Sequence, residues 1–237
     1  MSVRIWFMRS FIILLATAAF IAAPAITPPF MGYDPGLFPV SITRPSIQPA
    51  GYAFSIWGVI YLWLLISAAF GLTRRDDPIW AKPFVPLLGA LLLGTIWLAI
   101  ASNWPLTATV TIVAMAGFTL WAFLTADTTK DRWLQQAPLG LFAGWLTAAS
   151  CVSVGVILAG YGWLSDTASA MAMLAAILLI ALTIQFRRPT MPTYSVAVVW
   201  AAIGVAVVNW QANPPVAWAA LAGAAIQTAA ALRAYTR

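Results

Sequence analysis

The segment 136–160 reads QAPLGLFAGWLTAASCVSVGVILAG and contains no charged residue. An α-helix of this length, rising about 1.5 Å per residue, exceeds the roughly 30 Å hydrocarbon core of a bilayer. The whole chain agrees with this segment, because 62% of its residues are hydrophobic and only 8% are charged. Soluble domains average about 25% charged residues. A surface with so few charged groups is poorly solvated by water, and lipid must therefore cover most of it.

Seven other apolar segments of similar length are separated from it by short polar or proline-rich breaks. The sequence therefore predicts an all-α integral membrane protein with about eight transmembrane helices. The other seven segments are residues 9–27, 52–72, 84–102, 107–126, 168–186, 193–210 and 215–233.

The distribution of basic residues supports eight helices and predicts their orientation. With eight crossings both termini share one side with every second loop, and Arg44 is the single cation on the opposite side. The other eleven are Arg4, Arg9, Arg74, Arg75, Lys82, Lys130, Arg132, Arg187, Arg188, Arg233 and Arg237. By the positive-inside rule, we expect both termini on the cytoplasmic side of a bacterial inner membrane.

The first segment also has a second interpretation. Arg4 and Arg9 precede an apolar stretch, and Ala23-Pro24-Ala25 follows it, as in a signal peptide with a cleavage site. Proline within the candidate cleavage motif is unfavourable, so a retained helix is the favoured interpretation over cleavage of residues 1–25.

The longest predicted loop, residues 28–51, lies on the outer side and contains six prolines. Long loops in compact proteins are often lids or binding loops, and the alternative is a rigid connector. Directly after it, Phe54, Trp57 and Tyr61 follow an i, i+3, i+7 spacing and so share one helix face. An apolar ligand could stack on that face, although helix packing uses such stripes as well.

Small residues predict close contact between helices. Gly140 and Gly144 form a GxxxG pattern, which we interpret as packing within the chain. The single cysteine, Cys151, has apolar neighbours and is expected to be a buried packing residue, with no intramolecular disulfide.

The chemistry absent from the sequence excludes several classes of function. The chain contains no histidine, and its six acidic residues are all aspartates outside the apolar segments. Proton relays and ion-coupled transporters normally carry ionisable groups within the membrane. Zinc sites, haem ligation by histidine and Ser-His-Asp catalysis all need histidine. We therefore expect no enzyme activity, no catalytic residue and no metal site. Without a basic stripe, we also expect no nucleic-acid partner.

One motif resembles a known family. Residues 49–61, PAGYAFSIWGVIY, are similar to the second-helix signature of the TspO/MBR family, the translocator or tryptophan-rich sensory proteins. The spacing from Trp57 to Tyr61 matches, whereas Ser55 stands where proline is usual. Trp97 and Trp145 match family tryptophans in the third and fifth helices, and the asparagines expected near Gly94 and Ser153 are absent.

This resemblance covers residues 5–160. The chain resembles a long bacterial form of the family, with a five-helix bundle over residues 1–163 and three additional helices over residues 164–237. The alternatives left open are a structural or accessory subunit of a larger, pigment-binding or photosynthetic membrane complex, and an uncoupled transporter.

The resemblance also implies a function. Family members bind tetrapyrroles such as porphyrin and haem, or other apolar molecules, in a pocket among the first five helices. The expected partners are the lipid bilayer, an apolar small molecule that is not covalently attached, and a second copy or a larger complex. Without histidine, a tetrapyrrole would be held by stacking. The ligand-binding residues carried over are Phe54, Trp57, Tyr61, Trp97 and Trp145, with Pro49 and Tyr52 at the lid.

Overall fold

The computed structural model describes residues 3–74 and 76–236, with side chains from residue 8 onward, and these residues form eight α-helices and no strand. Seven helical segments in this part of the chain are long and apolar enough to cross a membrane, and the one over Gly51–Arg74 includes a 3₁₀ turn at each end. The eighth, Thr193–Asn209, has 17 residues and is shorter. The helices are α1 Val3–Ile26, α2 Ile56–Gly71, α3 Phe84–Ala101, α4 Pro105–Thr125, α5 Gln136–Gly160, α6 Asp166–Arg187, α7 Thr193–Asn209 and α8 Pro214–Tyr235. The predicted fold class is confirmed.

The helix boundaries follow local chemistry. Both α4 and α8 begin at a proline, whose missing N–H costs nothing in the first turn. Ser165 caps α6 by accepting a hydrogen bond from the backbone N–H of Ala168. The second apolar segment begins differently from the prediction, because residues Gly51–Ser55 form a 3₁₀ turn before α2 starts at Ile56.

The central helix is α5, which is buried along most of its length between α4, α6 and α7. A Cβ atom added at Gly144 would lie 2.2 Å from the carbonyl oxygen of Tyr194 in α7, and one at Gly140 would lie 2.5 Å from the Thr193 hydroxyl oxygen. The two glycines therefore let α7 approach the α5 backbone, as the GxxxG pattern predicts. Cys151 is buried, also as predicted.

The loops lie at the two ends of the bundle, and polar contacts join the loops at one of these ends. At the end that holds both described termini, Asp131 accepts hydrogen bonds from Arg74 and from the indole of Trp80, and Lys130 pairs with Asp77. The loop with Arg44 lies at the opposite end. The structure therefore separates most of the described basic side chains from Arg44, as expected for eight crossings. Arg4, Arg75 and Arg237, which belong to the same prediction, lie outside the described side chains.

The carboxylates of this basic end predict sensitivity to acid. Backbone N–H groups of Lys130 and Thr129 lower the pKa of Asp127 to about 2, and the hydrogen bond from Arg74 lowers the pKa of Asp131. The stabilisation from a depressed carboxyl pKa is complete above the pKa of the unfolded state, about 4, and disappears as the pH falls through the pKa of the folded state.

We therefore expect the melting temperature in detergent to fall as the pH decreases from about 4 to about 2. Asp127→Asn should have a lower melting temperature than wild type at neutral pH and a smaller further loss in acid. An identical acid response in that variant and in wild type would contradict this assignment.

Candidate functional site

A cavity of about 230 Å³ is walled by α1 to α5 and by Ala201 of α7, and it is covered by the loop over residues 27–50. Six of the seven residues predicted as ligand-binding line it. These are Pro49, Phe54, Trp57, Tyr61, Trp97 and Trp145. The structure thus brings together side chains from the loop and three helices, and their role in binding stays a prediction.

Aromatic rings form one wall of the cavity. Trp57 and Tyr61 stack at 5.3 Å between ring centroids, and Phe20 of α1 meets both of them edge to face, at 5.9 and 5.2 Å. Trp145 of α5 packs edge to face on Trp57 at 6.2 Å and on Phe54 at 5.9 Å. The shared face predicted for the 54, 57 and 61 positions therefore points into the cavity.

Three hydroxyl groups meet where the loop crosses the cavity. The hydroxyl of Tyr33 hydrogen-bonds to Ser153 of α5 and, at 3.4 Å, to Thr109 of α4, and Thr109 and Ser153 are 2.9 Å apart. Burial raises the pKa of the Tyr33 hydroxyl, so the group stays protonated at neutral pH. This cluster gives a largely apolar cavity one polar corner, and the amide of Gln48 also lines the cavity.

The indole of Trp145 is the second polar feature. Trp145 is only 3% exposed, and its Nε1–H has no hydrogen-bond acceptor in the described part of the chain. Trp97, which also lines the cavity, does have an acceptor for its indole, because its Nε1 donates to the carbonyl oxygen of Ala108 at 2.9 Å. Leaving a buried donor unpaired costs about 1–3 kcal/mol, which an acceptor on a ligand would recover.

Tyr52 does not line the cavity. It lies in the 3₁₀ turn, is 45% exposed and packs edge to face on Trp200 of α7. Trp200 donates from Nε1 to the carbonyl oxygen of Ala53 at 2.8 Å. These two aromatic residues therefore tie the start of α2 to α7.

Several cavity residues carry no signal in the sequence. Phe20 is 3% exposed and belongs to an apolar helix that showed no aromatic stripe. Phe30 of the loop packs on Trp97 at 4.8 Å and on Tyr33 at 5.4 Å. Only the proline-rich length of the loop pointed to a lid, without indicating which of its residues would reach the cavity.

The cavity has the chemistry of a binding site for an apolar molecule. Its lining contains no charged side chain, and no cluster of potential metal ligands occurs in the part of the chain that the structure describes. Apolar walls with a few fixed polar groups are typical of small-molecule sites. The protein is thus a multi-pass membrane protein with an aromatic cavity beneath the loop over residues 27–50.

Comparison with known proteins gives the family. The model of the TSPO-like protein family matches residues 6–233, so the chain belongs to the TSPO-like family. The match runs through all eight helices, further than the motif-based resemblance over residues 5–160. The division into a unit of residues 1–163 and one of residues 164–237 stays a prediction. No curated protein and no solved structure matches the chain.

Proposed function

We propose that the protein is a membrane receptor or carrier that binds an apolar, tetrapyrrole-like or isoprenoid molecule in this cavity. The observation that carries the proposal is the cavity itself, where aromatic rings from the loop, α1, α2, α3 and α5 converge. Flat or extended apolar molecules gain stacking and dispersion energy on such walls. Binding in this cavity needs no acid–base group and no metal.

The polar groups narrow the proposed ligand class. The hydroxyl cluster around Tyr33 offers one polar contact at the loop end of the cavity. The unpaired Nε1–H of Trp145 is buried, and it becomes a second contact when the ring shifts toward a bound ligand. An amphiphilic ligand with an acceptor such as a carbonyl or carboxylate fits both. A tetrapyrrole would be held by stacking, since the chain has no histidine for axial ligation.

The size of the cavity adds a condition. A volume of about 230 Å³ is below the roughly 300–1,000 Å³ of typical drug-sized sites. A molecule as large as a porphyrin therefore requires the loop to move outward before it can enter.

We propose that both termini are cytoplasmic, which places this loop on the opposite face of the membrane.

The proposal is tested by quenching of tryptophan fluorescence with protoporphyrin IX in detergent. We expect saturable quenching in wild type and an affinity at least about tenfold lower in Trp57→Ala, which removes the ring at the centre of the aromatic wall. The matched control is Trp121→Ala, because Trp121 also lies within a membrane helix but is 50% exposed on the outside of the bundle.

Quenching in wild type no stronger than that of free tryptophan would contradict the proposal, as would an equal loss of affinity in both variants. The accessory-subunit alternative predicts instead that stoichiometric partner chains co-purify after mild solubilisation. Counterflow in liposomes would identify a transporter.

Removal of the unpaired donor gives a finer prediction. Trp145→Phe keeps an aromatic ring but deletes the Nε1–H, so we expect porphyrin affinity to fall about threefold to tenfold. Removal of the unpaired donor should offset part of the stability that is lost with the smaller ring. A porphyrin affinity equal to that of wild type would contradict a contact between the ligand and the indole N–H.

A further inference from the structure

The second half of the outer loop is fixed to the last three helices by hydrogen bonds at one residue. Asp166, the first residue of α6, accepts hydrogen bonds from the backbone N–H of Ser46 at 2.9 Å and from its hydroxyl. Asn209 at the end of α7 donates to the Ser46 carbonyl oxygen at 2.7 Å. Asn213, between α7 and α8, donates to the Ser46 hydroxyl oxygen at 3.0 Å. Every polar group of Ser46 is thus held by the α6–α8 region.

The neighbouring residue adds an apolar anchor. Ile47 belongs to the loop but is only 1% exposed. Its side chain packs in a hydrophobic cluster with residues of four different helices. Those residues are Val156 of α5, Ala170 of α6, Val205 and Ala206 of α7, and Val216 and Ala220 of α8. A loop residue buried this deeply cannot leave without exposing its apolar surface.

The chain then passes directly from this anchor to the cavity. Gln48 and Pro49 follow Ile47 and line the cavity, and the backbone N–H of Ala50 donates to the Gly204 carbonyl oxygen of α7 at 3.0 Å. A Cβ atom at Gly204 would lie 2.9 Å from the Cβ of Pro49, so α7 and the loop are in tight contact. Movement at Ser46 therefore moves the cover of the cavity.

From these contacts we infer that α6–α8 form a clamp on the cavity loop, in which Asp166, Asn209 and Ile47 are positioning residues that set how fast a ligand enters and leaves. The clamp itself is independent of any ligand, and its gating role rests on the function proposed above. In this inference the three C-terminal helices hold the loop in place, which the first five helices alone would not do.

The test must separate a loosened loop from a loosened bundle, and the chain offers a matched control. At the opposite end of the same three helices, Ser195 of α7 donates to Gln185 of α6 and accepts from Gln227 of α8 at 2.7 Å. Ser195→Ala therefore weakens α6–α8 packing without touching the loop, whereas Asp166→Ala and Ile47→Ala act on the clamp.

The first measurement is hydrogen–deuterium exchange of the ligand-free, full-length protein in detergent, followed in peptides covering residues 40–50. We expect exchange there to be about tenfold faster in Asp166→Ala and in Ile47→Ala, as for the loss of a charge-assisted hydrogen bond or of a buried apolar side chain. Asp166→Asn, which keeps an acceptor for the Ser46 N–H, should lie between Asp166→Ala and wild type. Ser195→Ala should leave these peptides unchanged.

The second measurement is stopped-flow quenching with protoporphyrin IX. If the clamp gates the cavity, both the association and the dissociation rates rise several-fold in the clamp variants, while the dissociation constant changes less than either rate. Ser195→Ala should keep wild-type rates.

Three results would count against the inference. Unchanged exchange in both Asp166→Ala and Ile47→Ala, or an equal increase in Ser195→Ala, would overturn the clamp. Faster exchange with unaltered ligand rates would overturn the gating role. Absence of quenching in wild type would contradict the proposed function and the gating together, and the exchange data would still decide whether α6–α8 hold the loop.

Discussion

Gly144→Ala is expected to prevent the bundle from forming its native helix contacts. The added methyl group would lie 2.2 Å from the carbonyl oxygen of Tyr194 and 3.0 Å from Ala197 Cβ. The first of these atoms belongs to the α7 backbone, which cannot rotate away as a flexible side chain can. Overpacking of a core by small groups typically costs about 1–3 kcal/mol, and separation of two whole helices costs more.

The matched control is Gly117→Ala. Gly117 also lies inside a helix, α4, but nothing lies within 4 Å of an added Cβ there. Alanine is favoured over glycine in a helix by about 0.5–1 kcal/mol, so this variant should melt at the wild-type temperature or slightly above it. The readouts are the yield of monodisperse protein and the melting temperature in detergent. Equal behaviour of the two variants would contradict the close α5–α7 contact.

The second large effect is expected from filling the cavity. Ala149 of α5 lines the cavity and is partly exposed to it. In Ala149→Phe the added ring takes up much of the approximately 230 Å³ volume. We expect porphyrin quenching to lose its saturable component or to weaken by at least about a hundredfold, an energy difference of about 2.7 kcal/mol. Because the ring enters existing space, the melting temperature should change little.

The control for this variant is Ala202→Phe. Ala202 lies in α7, away from the loop cavity, beside an apolar groove between α6, α7 and α8. It should retain the wild-type affinity for protoporphyrin IX. Unchanged affinity in Ala149→Phe would place the porphyrin somewhere other than in the aromatic cavity.

Periodicity and charge predicted the parts of this fold that depend on the membrane. Residues 136–160 coincide with α5, because an uncharged run bounded by polar residues can only be a buried helix at this length. The GxxxG glycines were identified correctly because close helix contact requires small residues. The start of α2 was placed too early, since a 3₁₀ turn has the same apolar composition as the helix that follows it.

The cavity was only partly predictable. The spacing of Phe54, Trp57 and Tyr61 indicated a shared face, and the family resemblance added Trp97, Trp145 and Pro49. The loop contacts could not be predicted, because they join residues far apart in the sequence. Tyr33 meets Ser153 across 120 positions, and Ser46 meets Asp166 across another 120. No local pattern encodes such pairs.

Binding of an apolar ligand in the aromatic cavity is tested most directly by an experimental structure of the protein purified with protoporphyrin IX. We expect ligand density beneath the loop over residues 27–50, in contact with Trp57 and Trp97. An acceptor of the ligand should lie within hydrogen-bond distance of Trp145 Nε1, and the loop should be displaced away from the bundle. An empty cavity at saturating ligand, or porphyrin bound only on the outside of the bundle, would contradict binding in this cavity.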